Sequence, residues 1–122
     1  MILSEDKCNA TYQIQAVFDD CIVINKEKHT KSLVISPDQL IENWKPISVD
    51  MLTPEDLLLL ITLNPEIILL GTGKKSVILS AKQLAPLLKK QFHLECMSTV
   101  SACHTYTILC AEGRRVVAGL II

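Results

Sequence analysis

With 122 residues, about half of them apolar and a fifth charged, the chain is long enough to bury a core without a metal or a disulfide and too apolar for general disorder; it reads as one domain, 1–122. Twelve Lys and Arg stand against thirteen Asp and Glu, and one Trp, two Tyr and two Phe are the only aromatic residues, so neither a field for nucleic acid nor a set of stacking platforms is present, and no nucleic-acid partner is expected. The longest apolar runs, 57–61 and 116–122, fall far short of the roughly 20 residues that cross a bilayer, which argues against an integral membrane protein.

The start of the chain carries Glu5 and Asp6 and has neither the pattern of a signal peptide nor that of an organelle presequence. The cysteines (Cys8, Cys21, Cys96, Cys103, Cys110) are odd in number and include no Cys-x-x-Cys pair, so a reducing cytoplasm is expected and a zinc cage is not.

Residues 11–18 alternate with Tyr12, Ile14 and Ala16 on one face, the period of a half-buried strand. Asp19 and Asp20 supply a turn, Cys21–Ile24 a second strand, 25–28 a polar turn and 30–35 a third strand, together an antiparallel meander. Ser36-Pro37-Asp38 ends it, and a short edge strand is placed within 40–47. Thr53-Pro54-Glu55-Asp56 starts a helix that runs to about Leu63, with a hydroxyl cap, proline at the first position and acids at the positive end of the dipole.

The rest of the chain is organised by 65–122. A strand at 66–70, apolar enough for the centre of a sheet, leads into Gly71-Thr72-Gly73. Val77, Ile78 and Leu79 suggest a brief extended piece, and Ser80-Ala81-Lys82-Gln83 a capping box. Pro86 predicts one helical turn, a kink and a second piece over 86–91. Leu94–Met97 is the next strand, Ser98 or Thr99 caps the last helix, Ala102, Cys103, Tyr106, Leu109 and Cys110 form its apolar face, Gly113 closes it, and 115–122 is the last strand. Strands alternating with helices imply parallel pairing. The loops after 66–70 and after Leu94–Met97 would then share one edge of the sheet, where α/β proteins bind ligands.

That edge is the candidate site, with Gly71, Thr72, Gly73 and Lys74 on one loop and Ser98, Thr99 and His104 on the last helix. Exposed amides beside lysines, and hydroxyls at a helix start, suit a small anion; a tight turn with solvated lysines and ordinary capping explain the same residues. The nucleotide fingerprints fail. A Walker loop needs glycine in place of Ile68 and Ser or Thr in place of Lys75, and a dinucleotide loop needs glycine in place of Ser76, so neither ATP nor NAD fits and no cofactor is expected. Cys103 and His104 are helix neighbours about 100° apart, which suits a core thiol better than a nucleophile and its base. His29, His93 and His104 have no metal-ligand spacing, and no catalytic residues are assigned.

Four motifs in order, Pro65-Glu66-Ile67-Ile68-Leu69-Leu70-Gly71-Thr72-Gly73, Leu84-Ala85-Pro86-Leu87-Leu88, Met97-Ser98-Thr99 with Ala102-Cys103 and Thr105-Tyr106, and Ala111-Glu112-Gly113-Arg114, resemble the Mth938-domain family. Tyr12, Ile24-Asn25, Ser32-Leu33, Ser36-Pro37 and Trp44 extend the likeness to the first half. The resemblance implies an α/β fold with a mixed sheet, helices packed on it and the N-terminal meander. It also brings kinship with a mitochondrial assembly factor for respiratory complex I, in a family with no firmly assigned reaction. The chain departs from the family at Ser98, where Asp is frequent, His104, where Arg is common, and Thr107, where Asn is common, so a role that needs a fixed charge at that edge does not carry over from the resemblance. Residues and resemblance together favour a bacterial cytoplasmic binding module with a protein partner over an enzyme or sensor that holds a small anion.

Overall fold

The computed structural model describes residues 2–3 and 10–122; Glu5, Asp6 and Cys8, and what the sequence suggests for them, lie outside these residues. Strands β1 (Ile14–Phe18), β2 (Cys21–Ile24) and β3 (Glu27–His29) form an antiparallel three-stranded sheet. The link between β2 and β3 is shorter than the four-residue turn expected over 25–28. Asn25 and Lys26, with φ of 49° and 71°, make a two-residue turn in which Ile24 pairs with Glu27. Positive φ at both central residues matches the twist of a hairpin, and asparagine tolerates it. The Asn25 side chain anchors the turn: its amide donates to the Thr11 carbonyl oxygen at 2.8 Å, and its oxygen accepts from the Gln13 N–H at 3.0 Å.

Because pairing resumes at once, the third strand is Glu27–His29 and not 30–35. Residues Leu33–Ile35 instead become β4 of a second sheet. All three are buried, as expected of a strand covered on both faces. The expected edge strand shrinks to β5 (Leu40–Ile41), beyond which the Trp44 N–H donates to the Ser32 carbonyl oxygen at 2.9 Å.

After a 3-10 turn at Val49–Met51, α1 spans Pro54–Ile61. Its capping box is complete: the Asp56 N–H donates to Thr53 Oγ1 and the Thr53 N–H to Asp56 Oδ2. The helix stops two residues before Leu63, and Asn64 follows with φ 57°. Arg115 caps that end, its guanidinium donating to the Leu63 carbonyl oxygen at 2.6 Å, to that of Asn64 at 3.0 Å and to Asp38 at 3.1 Å. The Arg115 bond also holds the Asp38 carboxyl below its usual range.

Then come β6 (Ile67–Gly71), α2 (Ala81–Lys89), β7 (Leu94–Met97), α3 (Thr99–Ala111) and β8 (Val116–Leu120). No strand forms at 77–79; Leu79 alone of the three is buried. Helix α2 is one helix across Pro86 and not two pieces. Proline there gives up only the bond to the carbonyl of exposed Lys82, while Ser80 and Gln83 cap the start and fully buried Leu87 anchors the following turn.

The second sheet has the order β5-β4-β8-β6-β7, with β6 parallel to β7 and β8, and β4 antiparallel to β8. Its residues alternate between two cores. Leu69, Val116, Ala118 and Leu120 pack with α3 and the small sheet, and Ile68, Leu70 and Val117 pack with Leu57 and Leu60 of α1 and Leu87 of α2. The strand pattern thus sandwiches a mixed sheet between α3 with the meander on one side and α1 with α2 on the other.

Candidate functional site

Parallel pairing carries the ends of β6 and β7 to one edge, in the register Gly71 to Met97. There the two loops are bonded to each other. The Thr72 N–H donates to the Met97 carbonyl oxygen at 2.8 Å and the Thr99 N–H to that of Gly73 at 2.9 Å. Thr99 Oγ1 accepts from the Gly73 N–H at 2.9 Å and donates to the Ile121 carbonyl oxygen at 2.6 Å. Thr72 Oγ1 lies 2.5 Å from the Lys75 carbonyl oxygen and 3.0 Å from that of Met97, and accepts from the Val77 N–H at 3.2 Å. Ser98 caps α3 by accepting from the Ser101 N–H.

Gly71 permits this close approach, since a Cβ there would stand 2.9 Å from both Cα and Oγ1 of Thr99. Gly73 has φ 97°, a conformation glycine adopts freely. The glycines and threonines of the candidate set therefore hold the edge together.

Above this clasp lies a cleft of about 460 Å³. Thr72, Gly73, Lys74, Ser98 and Thr99 line it; Gly71 lies beneath, and His104, half-buried on α3, is not among the lining residues. The walls come from elsewhere: Phe18 and Asp19 from the hairpin, Ile47, Val49 and Asp50 from the segment before α1, and Val77, Val100 and Ile121. Sequence reasoning missed these. The available signal was apolar residues beside polar turns, Phe18 before Asp19-Asp20 and Ile47 between Pro46 and Ser48. Phe18, Ile47 and Val77 are 46%, 72% and 39% exposed, an apolar rim of the kind that marks interaction sites.

Among the described residues the thiols are buried, or half-buried at Cys96. Cys103 is fully buried in the first core, and burial pushes its thiol up to about 12; desolvation also raises that of half-buried Cys96. Cys103 should thus resist iodoacetamide at about pH 8 in the native state and react on denaturation, as mass spectrometry of labelled peptides would show. Because its folded pKa lies above the unfolded one, its contribution to stability is intact below about pH 8.5. It is lost as pH rises towards 12, by about 1.4 kcal/mol per pH unit, which a series of denaturation midpoints with Cys103→Ala as reference would measure. Tyr106 packs as expected, its hydroxyl donating to the Tyr12 carbonyl oxygen at 3.0 Å. Among the described residues no three His, Cys, Asp or Glu side chains are grouped to hold a metal ion.

A family model for a protein of unknown function (DUF498/DUF598) matches residues 14–121. The chain belongs to this Mth938-like family. A Bordetella pertussis protein whose solution structure is named a Mth938-like domain superposes with a TM-score of 0.80 at 28% identity, covering 98% of this chain and 91% of that one. The crystal structure of a Bordetella parapertussis protein gives 0.85 at 32% identity, covering 91% and 95%.

Among curated relatives, the "13 kDa major membrane protein" of Francisella tularensis subsp. holarctica (strain LVS) is 28% identical over 117 residues, 95% of either chain. The NADH dehydrogenase [ubiquinone] 1 alpha subcomplex assembly factor 3 of Rattus norvegicus is 33% identical over 85 residues, 68% of this chain and 46% of that protein. The Francisella name refers to a membrane; in this family member no helix among the described residues is long and apolar enough to cross one.

Proposed function

We propose that residues 1–122 act as one Mth938-like domain, a cytoplasmic bacterial binding module without a reaction of its own, which docks a protein partner at the cleft in the manner of a respiratory-complex assembly factor. The observation that carries this reading is the exposed apolar rim of Phe18, Ile47 and Val77 around a cleft whose threonine hydroxyls are spent on backbone groups. A buried, high-pKa Cys103 adds no chemistry to it. Kinship with complex I assembly factor 3 supplies the kind of partner, a subunit or membrane factor of a respiratory complex.

The test is affinity capture of the tagged protein from its own cells, membranes included, beside Ile47→Asp and Val77→Asp. Both side chains are exposed, so the variants keep the fold, while a carboxylate set into an apolar contact lowers recovery of respiratory-complex subunits by about tenfold or more. Equal recovery by all three proteins would rule out the cleft as the docking face.

A second reading, a small-anion sensor or enzyme at the same edge, has one observation in its favour. The Lys74 ammonium and Val100 line the cleft at the positive end of α3. It requires a thermal shift with phosphate that Lys74→Ala abolishes, and it takes over if no partner is captured.

A further inference from the structure

Resting on the docking reading above, we infer that the partner enters with a basic, apolar segment: a large apolar side chain flanked by Lys or Arg. The cleft is continuous, through Phe18, Asp19, Lys74 and Val100, with a second hollow that adds Val17 and Asp20. Along the joined surface, the charged side chains among the described lining residues are the carboxylates of Asp19, Asp20 and Asp50 against the single ammonium of Lys74. All four residues are exposed. Phe18, Ile47, Val77 and Val100 line the same surface, the first three exposed and apolar.

An acidic segment or an anionic lipid surface would meet a net negative rim and be repelled, whereas a basic one would be steered to it. The apolar walls then select among basic segments. A cleft of about 460 Å³ takes one or two large side chains, and their burial supplies the affinity that exposed charge pairs alone do not. Lys74, between the acids of the hairpin and the start of α3, sets where a carboxylate of the segment can be tolerated.

The test uses three labelled peptides of equal length and fluorescence anisotropy on the whole protein. One has Leu and Phe interleaved with Lys and Arg, one has Glu at the charged positions, and one keeps the cations with Ser at the apolar positions. The basic apolar peptide is expected to bind at least about tenfold more tightly than either control, and raised salt weakens it. Asp19→Asn, Asp20→Asn and Asp50→Asn combined weaken it about tenfold, and Val77→Asp does so too through the apolar wall.

Preference for the acidic peptide, equal binding of the serine control, indifference to the three Asn substitutions, or no binding at all would each overturn the inference. The docking reading falls separately, only if Ile47→Asp and Val77→Asp leave partner capture unchanged. Far-ultraviolet circular dichroism on the Asn variant shows that the loss is not unfolding.

Discussion

Gly119→Ala is expected to lower stability by about 3 kcal/mol, the upper part of the range for overpacking a core. Gly119 lies in β8, opposite Val34 of β4 and Leu70 of β6. A Cβ there would stand 2.6 Å from Cη2 and 2.8 Å from Cζ3 of Trp44. Carbon atoms pack at about 3.5–4.0 Å, so the ring would have to move by about 1 Å. It has nowhere to go, for Trp44 is only 5% exposed and lies in the core with Leu57, Leu60 and Leu70, and its backbone is pinned by the main-chain N–H bond to the Ser32 carbonyl. Reduced freedom of the unfolded chain returns at most about 1 kcal/mol.

The clash predicts its own rescue. Phenylalanine at position 44 lacks the outer ring atoms that would meet the new methyl, so in a Trp44→Phe background Gly119→Ala costs under about 1 kcal/mol, although Trp44→Phe alone costs about 1–3. Urea midpoints for the four proteins, at unchanged m-value, measure the coupling. Equal costs in both backgrounds would show that the strand, not the ring, rejects the methyl.

Legibility in the sequence followed how local each cause was. Thr53 with Asp56, Ser80 with Gln83, and Ser98 before α3 are caps formed within four residues, and each helix begins where its cap predicts. The alternation of strands and helices over 65–122 likewise implied the parallel pairing of β6 and β7, because a parallel neighbour is reached by a long connection over one face.

The errors came from choices that a short stretch leaves open. Asn25-Lys26 could close a hairpin in two residues or four, and the burial of Leu33–Ile35 in a different sheet decided between them. Pro86 could break α2 or be carried by it, and the anchoring of Leu87 decided that. In the candidate site the hydroxyls of Thr72 and Thr99 were visible in the sequence, but their acceptors, the carbonyls of Met97 and Ile121, are 25 and 22 residues away. The cleft walls around Phe18 and Ile47 depend on how the small sheet and the segment before α1 meet α3, which no periodicity records.

Thr99→Val should cost about 3 kcal/mol and Thr99→Ser about 1. Valine matches threonine in shape, so packing of this nearly buried side chain is kept and only the hydroxyl is lost. Its removal leaves two backbone groups without their partner, the Gly73 N–H and the Ile121 carbonyl oxygen. A buried group in that state costs about 1–3 kcal/mol; Gly73 is partly exposed, so water recovers some of its share and the sum stays near 3.

The loss is also local. The Thr99 N–H still holds the Gly73 carbonyl, but the 73–77 loop is tied at fewer points, so hydrogen exchange of the Gly73 amide accelerates more than that of the β8 amides. Serine keeps the hydroxyl and gives up a methyl, and should restore slow exchange. Since Gly73, Lys74 and Val77 line the cleft, the proposed docking role predicts that Thr99→Val lowers both stability and partner binding, whereas Val77→Asp lowers binding at wild-type stability. A Thr99→Val protein with the wild-type midpoint and protected Gly73 would mean that the clasp does not hold the edge. The cleft would then owe its shape to the close approach of Gly71 to Thr99, which Gly71→Ala tests independently.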